Sequence, residues 1–421
     1  MVFETFSQAQ STLLWSSFAI AMVMGAVVNK TNFCTMGAVS DWVNMGDTGR
    51  IRAWLLAIAV ALLGVTLLEK SGMVTISQTF PPYRGSSLAW IENLLGGLTF
   101  GIGMTLASGC GNKTLIRIGG GNLKSIVVLA IIGLIAYYMT NPLPGSDNTL
   151  YSLLFYKWTN PLAINMSTAQ DLGSVFGGDK AATVRLVIGL VLAIGLIAFV
   201  FKSAGFRGNV DNILGGVVVG LAVVGLWYVS SNISINVPDD GSYSLTKYYN
   251  EWDMLADSDA GKPAAGAPLA AQSFTFINPM GQTLGYAAGG FNHTLLTVGI
   301  MALFGVMVGS LLWSIISRGF RLEWFSSARD FITHVIGAAL MGFGGVLGMG
   351  CTIGQGITGV STLAIGSIIT LVAIVLGSAL TMKVQYYRMV YEGEASFMGA
   401  LLSALADMRL LPNALRKLEK V

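Results

Sequence analysis

The sequence predicts an all-α polytopic membrane protein: about nine transmembrane helices plus short re-entrant or broken helices, in two inverted pseudo-symmetric halves. Three observations predict it. Of 421 residues, 53% are hydrophobic and 11% charged. Nine apolar segments reach the roughly 20 residues that a hydrocarbon core requires. A glycine-and-cysteine signature also occurs twice, 241 residues apart.

The apolar segments lie near 11 to 28, 51 to 69, 91 to 108, 125 to 141, 183 to 201, 210 to 229, 293 to 316, 331 to 349 and 363 to 381. The first follows Glu4 with no Lys or Arg before it, so it lacks the basic start of a cleaved signal and is expected to be retained. A net charge of +3 in such a chain reflects basic cytoplasmic loops and gives no reason to expect a nucleic-acid partner.

The duplicated signature reads GGLTFGIGMTLASGCGN at 96 to 112 and GAALMGFGGVLGMGCTI at 337 to 353. In this register Gly96, Gly101, Gly103, Leu106, Gly109 and Cys110 fall on Gly337, Gly342, Gly344, Leu347, Gly350 and Cys351. The reading expects bent helices that bring one thiol from each half to a shared interface, where transporters place their cargo. Glycine permits both close helix contact and turns with positive φ, so hinge and packing roles both remain open for the earlier glycines.

Loop charge sets the expected orientation. Lys and Arg number 3, 3, 2, 3 and 2 in the connections 29 to 52, 111 to 124, 202 to 209, 317 to 330 and 382 to 388. They number 2, 2, 2 and 0 in the longer set 70 to 90, 142 to 182, 231 to 292 and 350 to 362. The positive-inside rule assigns the first set to the cytoplasm, the amino terminus to the periplasm and the carboxyl terminus to the cytoplasm, with Arg409, Arg416, Lys417 and Lys420 on the tail. Lys70 and Arg84 then lie outside, against the trend. The two cysteine segments run in opposite directions. The expected organisation is a first membrane repeat over 1–205 with external loop 142–182, a second over 206–390 with external loop 231–292, and an amphipathic cytoplasmic tail over 391–421. Loop 231–292 contains VPDDGSYSLTKYYNEWDMLADSDAGKPAAGAP, with six acidic and two basic residues, and reads as a partly ordered external loop. The tail from 395 to 419 reads as a surface helix.

Three cysteines, Cys34, Cys110 and Cys351, are too few and too scattered for a disulfide framework or a zinc site, and neither His293 nor His334 falls in a ligand pattern. No metal, no cofactor and no catalytic constellation is expected. Buried cysteine is ordinarily a small hydrophobe. Here each keeps polar company: Asn32 and Thr35 near Cys34; Ser108, Asn112 and Thr114 near Cys110; Thr352 and Gln355 near Cys351. No carboxylate lies at central depth around the cysteines, while backbone N–H groups at broken helix ends, Lys113 and Arg117 supply positive charge. Such a lining suits a small anion. A thiol adds a polarizable donor able to hold a soft terminal sulfur briefly, and weak binding is what conduction requires. The expected pathway residues are Cys34, Cys110, Cys351, Asn112, Lys113, Thr352, Gln355, Gly109, Gly111 and Gly350.

The runs NFCTMGAVSDW at 32 to 42, SGCGNKTLIRIGGGN at 108 to 122 and MGFGGVLGMGCTIGQGITGVSTLAIGS at 341 to 367 resemble the YeeE/YedE family of bacterial inner-membrane proteins, over nearly the whole chain. The resemblance implies an hourglass-shaped bundle with loops dipping to its centre and thiosulfate uptake, with Cys110 and Cys351 flanking the constriction and Cys34 towards the cytoplasm. Departures from the family pattern are Asn112 and Lys113 after Gly111, Gln355 where His or Asn is common, and the long loop 231–292. The expected function is a permease for a small sulfur-containing anion, thiosulfate first among them. The alternative is a membrane sulfur or selenium carrier, whose cysteine persulfide would pass to a cytoplasmic sulfurtransferase or small sulfur-carrier protein. Partners otherwise are the anion and the lipid bilayer.

Overall fold

The computed structural model describes residues 1–238, 240–256, 261–392 and 395–419; Lys420 lies outside them. The first part of the chain forms α1 (Phe6–Thr31), α2 (Thr35–Ser40, continued by a wider turn to Met45), α3 (Gly49–Lys70), α4 (Trp90–Leu106), α5 (Gly111–Gly119) and α6 (Lys124–Thr140). Then come α7 (Ala181–Phe201), α8 (Val210–Ser231), α9 (Ile277–Ala288), α10 (Val298–Ile316) and α11 (Ala328–Leu347). An irregular helical segment over 352–362, α12 (Ile365–Val390) and α13 (Phe397–Asp407) complete it. Among the described residues eight helical stretches are long and apolar enough to span a membrane, and α6 is a shorter apolar helix of 17 residues. The chain is a helical, multi-pass membrane protein.

Helix pairing follows a regular plan. α1 packs on α10 as α8 packs on α3; α4 packs on α12 as α11 packs on α6; α5 packs on α10 as 352–362 packs on α3; α6 packs on α9 as α12 packs on α2. Two pairs sit on the axis of this plan, α1 against α8 and α4 against α11. The helix left over is α7, which lies against α3 and is mostly exposed.

The α4–α11 crossing explains the duplicated glycines. A Cβ on Gly96 would lie 2.4 Å from the Gly348 nitrogen, on Gly103 2.6 Å from the Gly337 oxygen, and on Gly344 2.5 Å from the Phe100 nitrogen. Backbone thus meets backbone, as in small-residue helix contacts in lipid, where close approach supplies the van der Waals attraction that water-driven burial cannot. Of the two roles left open for Gly101, Gly103, Gly342 and Gly344, packing is the one the fold uses: all four lie inside unbroken helix.

Loop 231–292 is only partly the external loop expected. Ser234–Val237 pairs with Val2–Phe3 and with Gly241–Ser244 in a small sheet. Its last third instead returns to the interior: Phe274, Phe276, Ile277 and Met280 are all buried, and α9 packs on α6. The run is too short to read as a span, and Pro279 sits in the first helical turn, where its missing N–H breaks no intrahelical bond. Asp239 and residues 257–260 lie outside the described part of this loop. The tail helix is also shorter than expected. It stops at Asp407, before Arg409 with φ 58° and Pro412. It docks on the end of α12, where Asp407 accepts from the Tyr387 hydroxyl at 2.8 Å and pairs with Lys383 and Arg416. Burial alone would raise this carboxyl, but Tyr387, Lys383 and Arg416 together hold it below its ordinary range.

The anomalous Arg84 is neutralised locally. Its guanidinium holds Glu69 through two bonds of 2.6 and 3.0 Å, and its Nε donates to the Thr362 carbonyl at 2.8 Å. Arg185 bridges the same Glu69 to Asp171, at 2.7 and 2.9 Å. The network pins the outer end of 352–362, and loop residues 170–172 add backbone bonds to residues 363 and 365. Arg84→Ala is therefore expected to destabilise the protein by about 1–3 kcal/mol, because it leaves Glu69 with Arg185 alone and takes the donor from the buried Thr362 carbonyl. The measurement is the thermal unfolding midpoint in detergent, and an unchanged midpoint would contradict this role.

Candidate functional site

Several helices here share one kind of ending, and three of these endings each deliver a cysteine. After α1, α4 and α11 the chain takes a left-handed residue, Asn32 (φ 50°), Ser108 (φ 58°) and Met349 (φ 54°), each two positions before Cys34, Cys110 and Cys351. The next residue bonds back five positions: Phe33 to Val28 at 3.2 Å, Gly109 to Met104 at 2.8 Å, and Gly350 to Gly345 at 2.7 Å. This is the Schellman ending, which satisfies helix carbonyls that lack an intrahelical partner. Asn tolerates the conformation, whereas Ser and Met pay roughly 1–2 kcal/mol for it, strain that surrounding contacts must hold in place. The bends therefore lie at Ser108 and Met349, with Gly109 and Gly350 just after them.

Each cysteine then starts a short helix. Cys34 and Cys110 occupy the N-cap positions of α2 and α5, and Cys351 precedes 352–362. The Cys34 sulfur accepts from the Gly37 N–H and the Cys351 sulfur from the Gly354 N–H, both at 3.4 Å. The Lys113 backbone N–H approaches the Cys110 sulfur in the same way, and that sulfur also lies beside Thr352 and within electrostatic range of both other thiols. The start of α9 joins them: the Phe276 backbone reaches Cys351, and Ile277 and Met280 face Gly111. Four short helical segments thus start around one centre, and a helix start carries partial positive charge.

The centre is polar, but its polar atoms are not paired with one another. Thr35 Oγ1, Asn112 Oδ1, Thr275 Oγ1, Thr352 Oγ1 and both amide atoms of Gln355 are buried and make no hydrogen bond within the protein. Thr275 reaches Gly350 and Gly354, and Gln355 also borders Gly350. Native interiors leave few such groups, each costing about 1–3 kcal/mol, so a cluster of them signals partners that come and go. The three thiols are free and 5%, 2% and 0% exposed, so passage to either water phase requires movement. Among the described residues no group of three His, Cys, Asp or Glu is arranged to hold a metal.

Positive side chains flank one side of the centre. Lys113 Nζ donates to Asn32 Oδ1 at 2.6 Å, tying α5 to the first bend. Arg50 holds the buried Asp41 through Nη2 at 2.6 Å and through Nε, and its guanidinium covers Gly37. Of the residues expected from sequence, Cys34, Cys110, Cys351, Asn112, Lys113, Thr352, Gln355, Gly109, Gly111 and Gly350 all gather here. His334 lies apart, its Nδ1 2.8 Å from the Asp330 carbonyl. Sequence reasoning missed Thr275 and the α9 start. The apolar run FTFINPM beside a Met-Gly pair, similar to FCTMG at Cys34, was the available signal.

The family model described as "Sulphur transport" matches residues 30–380. The chain is 22% identical over 381 residues to "Thiosulfate transporter TsuA" of Escherichia coli K12, covering 87% of this chain and 93% of that protein. It is likewise 22% identical over 372 residues to the protein of that name from Spirochaeta thermophila, covering 87% and 97%.

Proposed function

The chain belongs to the sulphur transport family, and from that premise we propose that it carries thiosulfate inward across a bacterial inner membrane through the centre defined by Cys34, Cys110 and Cys351. The observation that carries this reading is the convergence of four helix N-termini on three thiols and a cluster of unpartnered polar atoms. Fixed N–H dipoles attract negative charge without a formal cation, so the anion is stabilised yet free to leave. The sulfonate oxygens of thiosulfate accept from Thr352, Thr275, Gln355 and backbone N–H groups. The soft terminal sulfur lies against thiols rather than hydroxyls.

Inverted repeats support the same reading. The reciprocal helix pairing fits a first half of α1 to α6 and a second of α8 to α12, with α7 as the extra crossing that turns the second half over. In that arrangement Cys110 and Cys351 are equivalents across the centre. Cys34, by contrast, is equivalent to the start of α9, where no thiol stands. The orientation we propose, from loop charge, puts the amino terminus in the periplasm and Cys34, Lys113, Arg50 and the tail on the cytoplasmic side.

The test is uptake of 35S-thiosulfate by proteoliposomes, with sulfate, sulfite and selenate as competitors. Saturable uptake that thiosulfate itself competes best is expected. Better competition by another oxyanion would replace the substrate, and a persulfide formed on the purified protein without uptake would favour the carrier reading and its cytoplasmic acceptor. Lys113→Gln is expected to raise KM about tenfold with little change in maximal rate, because it removes a charge from the approach and leaves the thiols in place. An unchanged KM would remove Lys113 from the pathway.

A further inference from the structure

Away from the cysteines, a cleft lies where the start of α11 meets the end of α12 and the start of α13, with a volume near 800 Å³. Its walls are of two kinds. Leu106, Val384 and Phe397 are among its apolar lining residues, and Arg329, Arg388 and Glu392 are among its charged ones. Among the described residues neither guanidinium has an ion pair or a side-chain hydrogen bond, in contrast to Arg50, Arg84, Arg185 and Arg416, which all hold carboxylates. Both arginines sit near the ends of helices long and apolar enough to span a membrane. Beside them Met389, Phe397 and Met398 are 67%, 60% and 59% exposed, so the cleft is continuous with a surface suited to acyl chains.

We propose that this cleft binds an anionic glycerophospholipid, its phosphodiester between Arg329 and Arg388 and an acyl chain along Leu106 and Val384. Two unpaired cations over a hydrocarbon wall at a membrane boundary match an anionic lipid in both charge and polarity, and basic pockets between spanning helices take such headgroups. Glu392 reduces the local charge from two to one, which fits a singly charged phosphodiester better than a multiply charged ligand. The bound lipid would link α13 to the α11–α12 pair, and hence the tail to the helix that carries Met349 and Cys351.

The test uses the full-length protein in detergent and native mass spectrometry, titrating phosphatidylglycerol and phosphatidylcholine with the same acyl chains. Phosphatidylglycerol is expected to bind about tenfold or more tightly, as two basic groups at a headgroup imply. The double variant R329Q/R388Q should lose that preference and R329K/R388K should keep it. Equal binding of the two lipids, or a preference retained in R329Q/R388Q, would overturn the proposal. So would displacement of phosphatidylglycerol by millimolar inorganic phosphate, which would mark a free-phosphate site, or capture through these arginines of a soluble protein in place of lipid. If R329Q/R388Q does not fold, the single variants R329Q and R388Q should each reduce the preference, and two unchanged singles would refute it.

Discussion

Cys110→Ala and Cys351→Ala are each expected to lower thiosulfate uptake by about tenfold to a hundredfold, the loss that follows when one hydrogen bond to a charged group is removed. Both side chains are buried at the centre, beside polar atoms that make no bond within the protein. Neither thiol is needed to hold the bundle together. Their sulfurs meet only backbone N–H groups at the long distance of a thiol acceptor, Lys113 at Cys110 and Gly354 and Phe276 at Cys351, so the thermal midpoint should move little. Serine in either position should restore part of the uptake, since it replaces the donor without the soft sulfur. Cys34→Ala should be milder, because Cys34 stands on one side of the centre with no thiol counterpart across it. Full uptake in both alanine variants, measured with 35S-thiosulfate in proteoliposomes, would mean that the thiols only pack.

The second large effect is on assembly. Gly101 faces α12, and a Cβ there would lie 2.2 Å from the Ile374 carbonyl oxygen and 2.8 Å from the Ser378 nitrogen. Backbone cannot rotate away as a side chain can, so Gly101→Val must drive α4 and α12 apart, at a cost of at least about 3 kcal/mol. Because α4 also crosses α11 through Gly96 and Gly103, separation there would disturb both bends that carry Cys110 and Cys351. The expected outcome is loss of folded protein on size-exclusion chromatography. Gly195→Ala provides the control. Nothing lies within 4 Å of a Cβ at Gly195, and alanine in an exposed helix interior should be neutral or stabilise by about 0.5–1 kcal/mol. Normal yield of Gly101→Val would show that the α4–α12 contact is looser than its geometry.

Much of this architecture was legible in the residues. Spanning helices announce themselves because a hydrocarbon solvent demands unbroken apolar length, and the nine apolar segments coincide with α1, α3, α4, α6, α7, α8, α10, α11 and α12. The three cysteines were legible as a set because each follows a helix end and precedes polar side chains. The manner of bending was not, since a Schellman ending at Ser or Met has no composition signal and glycine fits a hinge and a helix contact equally. α9 was hidden for a different reason: twelve residues of mixed polarity inside a long acidic loop gain their helical stability only by packing on α6. Arg84 misled because loop charge counts take no account of pairing, and Glu69 cancels it.

Transport through the thiol centre requires that an anion rest where the four helix starts meet. Selenosulfate, the selenium analogue of thiosulfate, gives an anomalous signal, so crystals of the protein grown with it locate the cargo directly. The peak is predicted among Cys34, Cys110 and Cys351, within contact of Thr352 and Gln355. A peak confined to either water-facing side, in a protein that still takes up the anion saturably, would contradict it.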